Sequence, residues 1–116
     1  MKRFNLNYNE QQIVRAIVRE DARRGSSSNF NKRGASAIEK AKSDIDIGDA
    51  SPDVRDTIID KIYQSIAYST AWEYLGETYC SRGTFYQHRK QFCYLIALNM
   101  GMINDKRKKQ NEKGRT

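Results

Sequence analysis

Residues 70–103 read TAWEYLGETYCSRGTFYQHRKQFCYLIALNMGMI, and this stretch decides how the rest of the chain is read. Two capping signals punctuate it. Ser69 or Thr70 precedes AWEYL, and Ser81 precedes RGTFYQHRKQF, where a hydroxyl can accept from the free N–H groups of a helix's first turn. From Ser81 onward, Phe85, Phe92 and Ile96, with Leu95 and Met100, carry one apolar side down to Gly101, a residue suited to ending a helix. A short helix, a tight turn and a second, capped helix make the layout of a helix-turn-helix. Trp72 and Leu75 are the expected inward positions of the first helix and Phe85 the inward anchor of the second. Ser81, Arg82, Gly83, Thr84 and Tyr86 are left outward or terminal. Gly83 costs a helix about 1 kcal/mol relative to alanine, and close approach of backbone to a phosphate is one reason to accept that cost.

Working outward, Pro52–Tyr68 is the strongest amphipathic helix, with Val54, Ile58, Ile59, Ile62, Tyr63 and Ile66 recurring at three- to four-residue steps. Ser51 is its expected cap and Pro52 its first residue. An N-terminal helix is expected at about 9–24, capped by Asn9, with Ile13, Val14, Ile17 and Val18 as its apolar stripe and Arg15, Arg19 and Arg23 as a basic ridge. GSSSNFNKRG (25–34) reads as a loop anchored by Phe30, and ASAIEKAK (35–42) as a helix of about two turns. The expected fold is all-α: about five helices in a single domain over residues 1–104, with a helix-turn-helix region at about 52–101 and a long last helix. Residues 105–116 form a basic tail without apolar content, expected to be disordered. No apolar run approaches 18 residues and none follows the basic start MKRFNLNYNEQQ, so neither a membrane span nor a secretory signal is expected. The expected location is the cytoplasm of a bacterial host cell.

The net charge of +7 conceals a segmentation. Residues 1–33 hold eight basic against three acidic residues (+5), residues 34–78 four against nine (−5), and residues 79–116 nine against two (+7). Two basic ends around an acidic middle suggest anion-facing surfaces, with nucleic acid the first partner to consider.

SRGTFYQH (81–88) resembles the start of the recognition helix in bacterial regulators of the TetR type. That family carries the motif near its N-terminus, before a ligand-binding domain, and has an aromatic after the histidine where this chain has Arg89. Only DNA contact by Ser81–His88 is therefore carried over. The larger block 70–103 is similar to the C-terminal part of small phage regulators of late transcription, the RinA/ArpU-like group, which are helical and sigma-region-4-like. The resemblance implies a transcriptional regulator of phage or mobile-element type that binds double-stranded DNA. Arg82, Thr84 and Gln87 are then the candidates for base edges. Tyr86, His88, Arg89 and Lys90 are candidates for phosphates, and so are the Ser81 hydroxyl and the free N–H groups behind it, Gly83 included. Lys106, Arg107, Lys108 and Lys109 would add auxiliary phosphate contacts. The acidic middle (Asp44, Asp46, Asp49, Asp53, Asp56, Asp60) is left for RNA polymerase or a second copy of the chain, since a homodimer doubles the sequence that one short helix can read.

Other signals point to less. Cys80, His88 and Cys93 lack a C-x-x-C spacing and a fourth ligand, so no metal site is expected, and the cysteines read as reduced thiols. The acid pairs Asp44/Asp46 and Asp56/Asp60 sit on connectors and wet helix faces, and no glycine-rich phosphate loop exists. Neither an enzyme nor a cofactor is expected. Most aromatics between Tyr63 and Tyr94 read as core, with Tyr79 and Tyr94 as candidates for a partner surface. The rival functions are a phage-encoded inhibitor or adaptor that binds protein on the same scaffold and, more weakly, a non-specific nucleic-acid packaging or RNA-binding protein.

Overall fold

The computed structural model describes residues 4–24 and 29–103, and everything in that span is helix, turn or connector. Four α-helices form: α1 (Tyr8–Arg24), α2 (Asn29–Asp44), α3 (Pro52–Tyr68) and α4 (Arg82–Asn99), with a single 3₁₀ turn at Trp72–Tyr74 between the last two. α1 packs on all three other helices, and α4 makes its most extensive contact with α2.

Each helix starts where local chemistry supplies partners for its first N–H groups. α1 opens on a reciprocal box: the Glu10 N–H donates to Asn7 Oδ1 (2.8 Å) and the Asn7 N–H to Glu10 Oε1 (2.8 Å). The cap is thus Asn7 rather than Asn9, because only Asn7 has a glutamate three residues on. Ser51 caps α3 ahead of Pro52, and Ser81 caps α4, as the sequence suggests. α4 ends in a paired motif in which the Met102 N–H donates to the Ala97 carbonyl (2.9 Å) and the Gly101 N–H to that of Leu98 (3.1 Å). Gly101 takes φ +77, a conformation that costs glycine nothing. The far end of α2 is closed by Arg55 of α3, whose Nη2 donates to the carbonyls of Lys42 (2.8 Å), Ser43 (3.1 Å) and Ile45 (3.1 Å).

The core is drawn from every helix: Val14, Ile17 and Val18; Ala37, Ile38 and Ala41; Ile58, Ile59, Ile62 and Ile66; Phe85, Phe92, Ile96 and Ala97. Ile13, expected to be part of the stripe of α1, is half exposed (49%). α2 is twice the expected length and takes in residues 29–34, which read as loop. Its buried side is mostly small, with Gly34, Ala37 and Ala41 beside Asn31 and a single large apolar residue, Ile38. Such a stripe gives little hydrophobic signal yet permits close approach, since a Cβ added at Gly34 would lie 3.0 Å from Ile17 Cγ2 of α1. Residues 25–28, the Phe30 side chain and the basic tail from residue 104 lie outside the described residues.

The expected short helix at AWEYL is a three-residue 3₁₀ turn instead. Ser69 (φ 53) and Gly76 (φ 79) break the chain on either side, leaving too few residues to repay helix nucleation. Side chains hold the segment in place of helical hydrogen bonds. Trp72 Nε1 donates to Thr78 Oγ1 (2.9 Å), that hydroxyl donates to the Cys80 carbonyl (3.1 Å), and Leu75 is buried beneath.

Among the described residues no helix is long and apolar enough to cross a membrane. One buried polar residue fastens α4: Gln91 Oε1 accepts from the Asp46 N–H (2.8 Å) while its Nε2 donates to the Asp46 carbonyl (3.1 Å). Gln91→Ala removes both bonds to the Asp46 backbone and the packing of a buried side chain, and should cost about 1–2 kcal/mol, read as a lower urea midpoint with an unchanged m-value.

Candidate nucleic-acid interface

Phe85, Phe92 and Ile96 are fully buried, and at 100° per residue the stripe Gly83–Gln87–Lys90 lies about 180° away from them. Gly83, Gln87 and Lys90 are indeed exposed, flanked by exposed Ser81, Arg82 and Thr84. No carboxylate occurs anywhere in α4. The outer face of its first two turns is therefore cationic and polar, without an internal counter-charge.

The candidate residues divide by what already occupies them. Ser81 Oγ accepts from the Thr84 N–H (3.2 Å) and donates to Thr84 Oγ1 (3.0 Å), so its hydroxyl serves the cap. Thr84 keeps its own hydroxyl proton for an external acceptor. Tyr86 is half-buried, its hydroxyl accepts from the Trp72 N–H (3.3 Å), and the guanidiniums of Arg82 and Arg89 each lie 5.6 Å from its ring centre. Arg89 is also half-buried and donates from Nη1 to the buried hydroxyl of Ser65 on α3 (2.8 Å). Burial, with the nearby charge of Arg15 adding to it, lowers the Arg89 pKa. Gly83 stands in open space, since a Cβ there would meet nothing within 4 Å. The fold gives no steric reason for glycine at that position. Lys106, Arg107, Lys108 and Lys109 lie outside the described residues.

Arg82, Gln87 and Arg89 do not share one exposed face: the first two are exposed and Arg89 is turned inward. The ridge of α1 is likewise divided among tasks. Arg15 faces α4, lining a groove with Gln87, Arg89 and Lys90; Arg19 donates to Ser69 Oγ (2.8 Å); Arg23 pairs with Glu20 (3.6 Å). Sequence spacing makes the ridge visible but not its proximity to α4, which depends on how the two helices cross.

Most of the aromatics between Tyr63 and Tyr94 belong to the core or pack against it, Tyr63, Trp72 and Tyr86 lining its edge, while the rest lie outside. Phe85 and Phe92 are buried, but Tyr68 (66%), Tyr74 (83%) and Tyr79 (56%) are exposed around the connector, and Tyr94 is half-buried against Phe4 (5.4 Å, edge-on). Tyr79 holds a left-handed backbone (φ 57), strain that an exposed tyrosine does not repay by packing. Nothing in the sequence flags it. Among the described residues no three or more His, Cys, Asp or Glu side chains gather to hold a metal ion. Burial pushes the Cys93 thiol up to about 11 and also raises that of Cys80, so both are protonated at neutral pH.

No protein-family model matches this chain, and no curated protein or solved structure shows significant similarity to it.

His88 is the chain's single histidine, half-buried on α4, and burial lowers its pKa from 6.5 against a smaller opposing effect of Asp46. The unfolded chain therefore binds this proton more readily than the folded one. Stability is complete above the ordinary histidine range, falls as pH drops below about 6.5, and stops falling below the folded-state pKa. His88→Gln should flatten this part of a urea-midpoint-against-pH curve, and NMR titration of His88 should give a value below 6.5.

Proposed function

We propose that the chain is a sequence-specific DNA-binding regulator of transcription, of phage or mobile-element type, with the N-terminal half of α4 entering the major groove. The observation that carries this reading is Gly83. It stands exposed in the first turn of a helix without carboxylates, at a position where the fold has room for a side chain. A residue that weakens its helix without easing any contact in the fold suits a surface where backbone must come close to something else. The phage or mobile-element type rests on the sequence resemblance of residues 70–103 to small phage late-transcription regulators alone, since no family model matches the chain. In this reading α4 is the recognition helix, and the 3₁₀ turn and α3 support it in place of the short first helix of a helix-turn-helix. Arg82, Thr84 and Gln87 read base edges, while Lys90 and the free N–H groups behind Ser81 meet phosphates. Arg89 and Tyr86 act mainly by bracing Arg82 and the connector. The basic tail adds sequence-independent attraction. Asp53, Asp56 and Asp60, exposed along α3, are offered to polymerase or to a second copy of the chain.

A second reading, a protein-binding inhibitor or adaptor, is favoured by exposed Tyr68, Tyr74 and Tyr79, since tyrosines of this kind are common anchors at protein interfaces.

Gly83→Ala separates these readings. It should stabilise the fold by about 0.5–1 kcal/mol. In mobility-shift assays on the host element's own DNA it should bind more weakly, and unchanged or absent binding would count against the regulator. Arg82→Ala should cost about 1–3 kcal/mol and relax specificity, whereas truncation after Ile103 should weaken all sequences alike and flatten the salt dependence.

A further inference from the structure

Beside the outward stripe of α4 runs an open-sided groove of ≈ 290 Å³ between that helix, α1 and the segment leading into α1. Three cations line it, Arg15 from α1 and Arg89 and Lys90 from α4, and no carboxylate does. The two arginines come from different helices, and neither forms an ion pair among the described residues. Their mutual repulsion is borne by the fold because Arg89 is held in place by the Ser65 hydroxyl (2.8 Å) and the Tyr86 ring. Phe4, Leu6 and Cys93 supply an apolar lining, and Gln11 and Gln87 add amides at its sides. With its thiol protonated, Cys93 contributes apolar surface rather than charge.

We propose that this groove is a binding site for a small amphipathic anion, a carboxylate or phosphate ester carrying an aromatic or branched aliphatic body of one or two rings' size. Concentrated positive charge calls for an anionic head, and Arg89, already oriented, offers its remaining N–H groups with little further ordering. The apolar lining calls for a body that a bare phosphate or a nucleic-acid backbone does not present, since either would leave Phe4, Leu6 and Cys93 facing water. The volume is at the lower end of small-molecule sites, which limits the body's size. The site stands independently of the DNA-binding reading. If that reading holds, the occupant shares Gln87 and Lys90 with the duplex and competes with it.

The test uses the full chain and three probes: 2-naphthoate, its neutral counterpart 2-naphthylmethanol, and inorganic phosphate, followed by calorimetry and by amide chemical shifts. 2-Naphthoate should bind saturably at one site per chain, with shifts centred on Leu6, Arg15 and Cys93, and more tightly than either of the others. Arg15→Gln and Lys90→Gln, which spare the Ser65 anchor, should each weaken it by about tenfold. Circular dichroism and the urea midpoint of each variant establish that it is folded. Equal binding of the neutral probe would overturn the proposal by reducing the groove to an apolar cleft. Equal binding of phosphate would reduce it to a charged surface. Unchanged affinity in both folded variants, or shifts centred elsewhere, would also overturn it.

Discussion

The placement of α4 depends on Gln91, a buried amide that exchanges two hydrogen bonds with the backbone of Asp46. A helix with one apolar side can slide or rotate on its neighbours at modest cost, because hydrophobic contact is not directional. A buried amide facing a backbone N–H and a backbone carbonyl cannot do so, because every displacement leaves polar groups desolvated without partners. Three further bonds act in the same sense. Arg89 reaches Ser65 on α3, Asn99 Nδ2 reaches the Ala37 carbonyl on α2 (3.0 Å), and Tyr86 meets the Trp72 N–H in the connector. Each neighbouring element except α1 is thus tied to α4 by a directional contact.

This fastening settles which side of α4 faces outward. With Phe85, Phe92 and Ile96 inward, residues 83, 87 and 90 face solvent, and the absence of carboxylates from the helix leaves that side cationic. The same orientation brings Arg89 and Lys90 toward Arg15 and creates the groove beside the outward stripe. Two anion-attracting features, one convex and one concave, therefore follow from one helix orientation. The acids are kept apart from both, mostly along α2, α3 and the connector between them, where Asp60 accepts from Gln64 Nε2 (2.6 Å) and Asp44 pairs with Lys40 (3.9 Å).

Much of the architecture is legible in the linear chain. The caps at Ser51 and Ser81, proline at the start of α3 and glycine just beyond the end of α4 act over a few residues, so their meaning survives without tertiary knowledge. Where the reading and the structure part, longer-range physics intervenes. α2 is longer than expected because its buried side is built mostly of glycine and alanine, which carry weak hydrophobic signal and gain their value only against Ile17 of α1. AWEYL satisfies local helix signals yet forms a 3₁₀ turn, because Trp72 finds Thr78 and the segment is bounded by left-handed residues. Tyr68 and Tyr74 look like core by type, but α3 and the connector carry them on their wet sides, where Tyr79 also lies.

The helical class, the register of α3 and α4, the segregation of charge and the candidate segment at residues 81–90 are all written in the linear chain. These properties depend on periodicity, capping and formal charge, which are local. Packing between helices is what turns Arg89 inward to Ser65 while Arg82 stays out, leaves unclaimed space at Gly83, and brings Arg15 of α1 beside α4 in a carboxylate-free groove. Those outcomes depend on the crossing of helices distant in sequence, where the close approach at Gly34 and the amide of Gln91 choose one arrangement among the many that hydrophobic burial alone would permit.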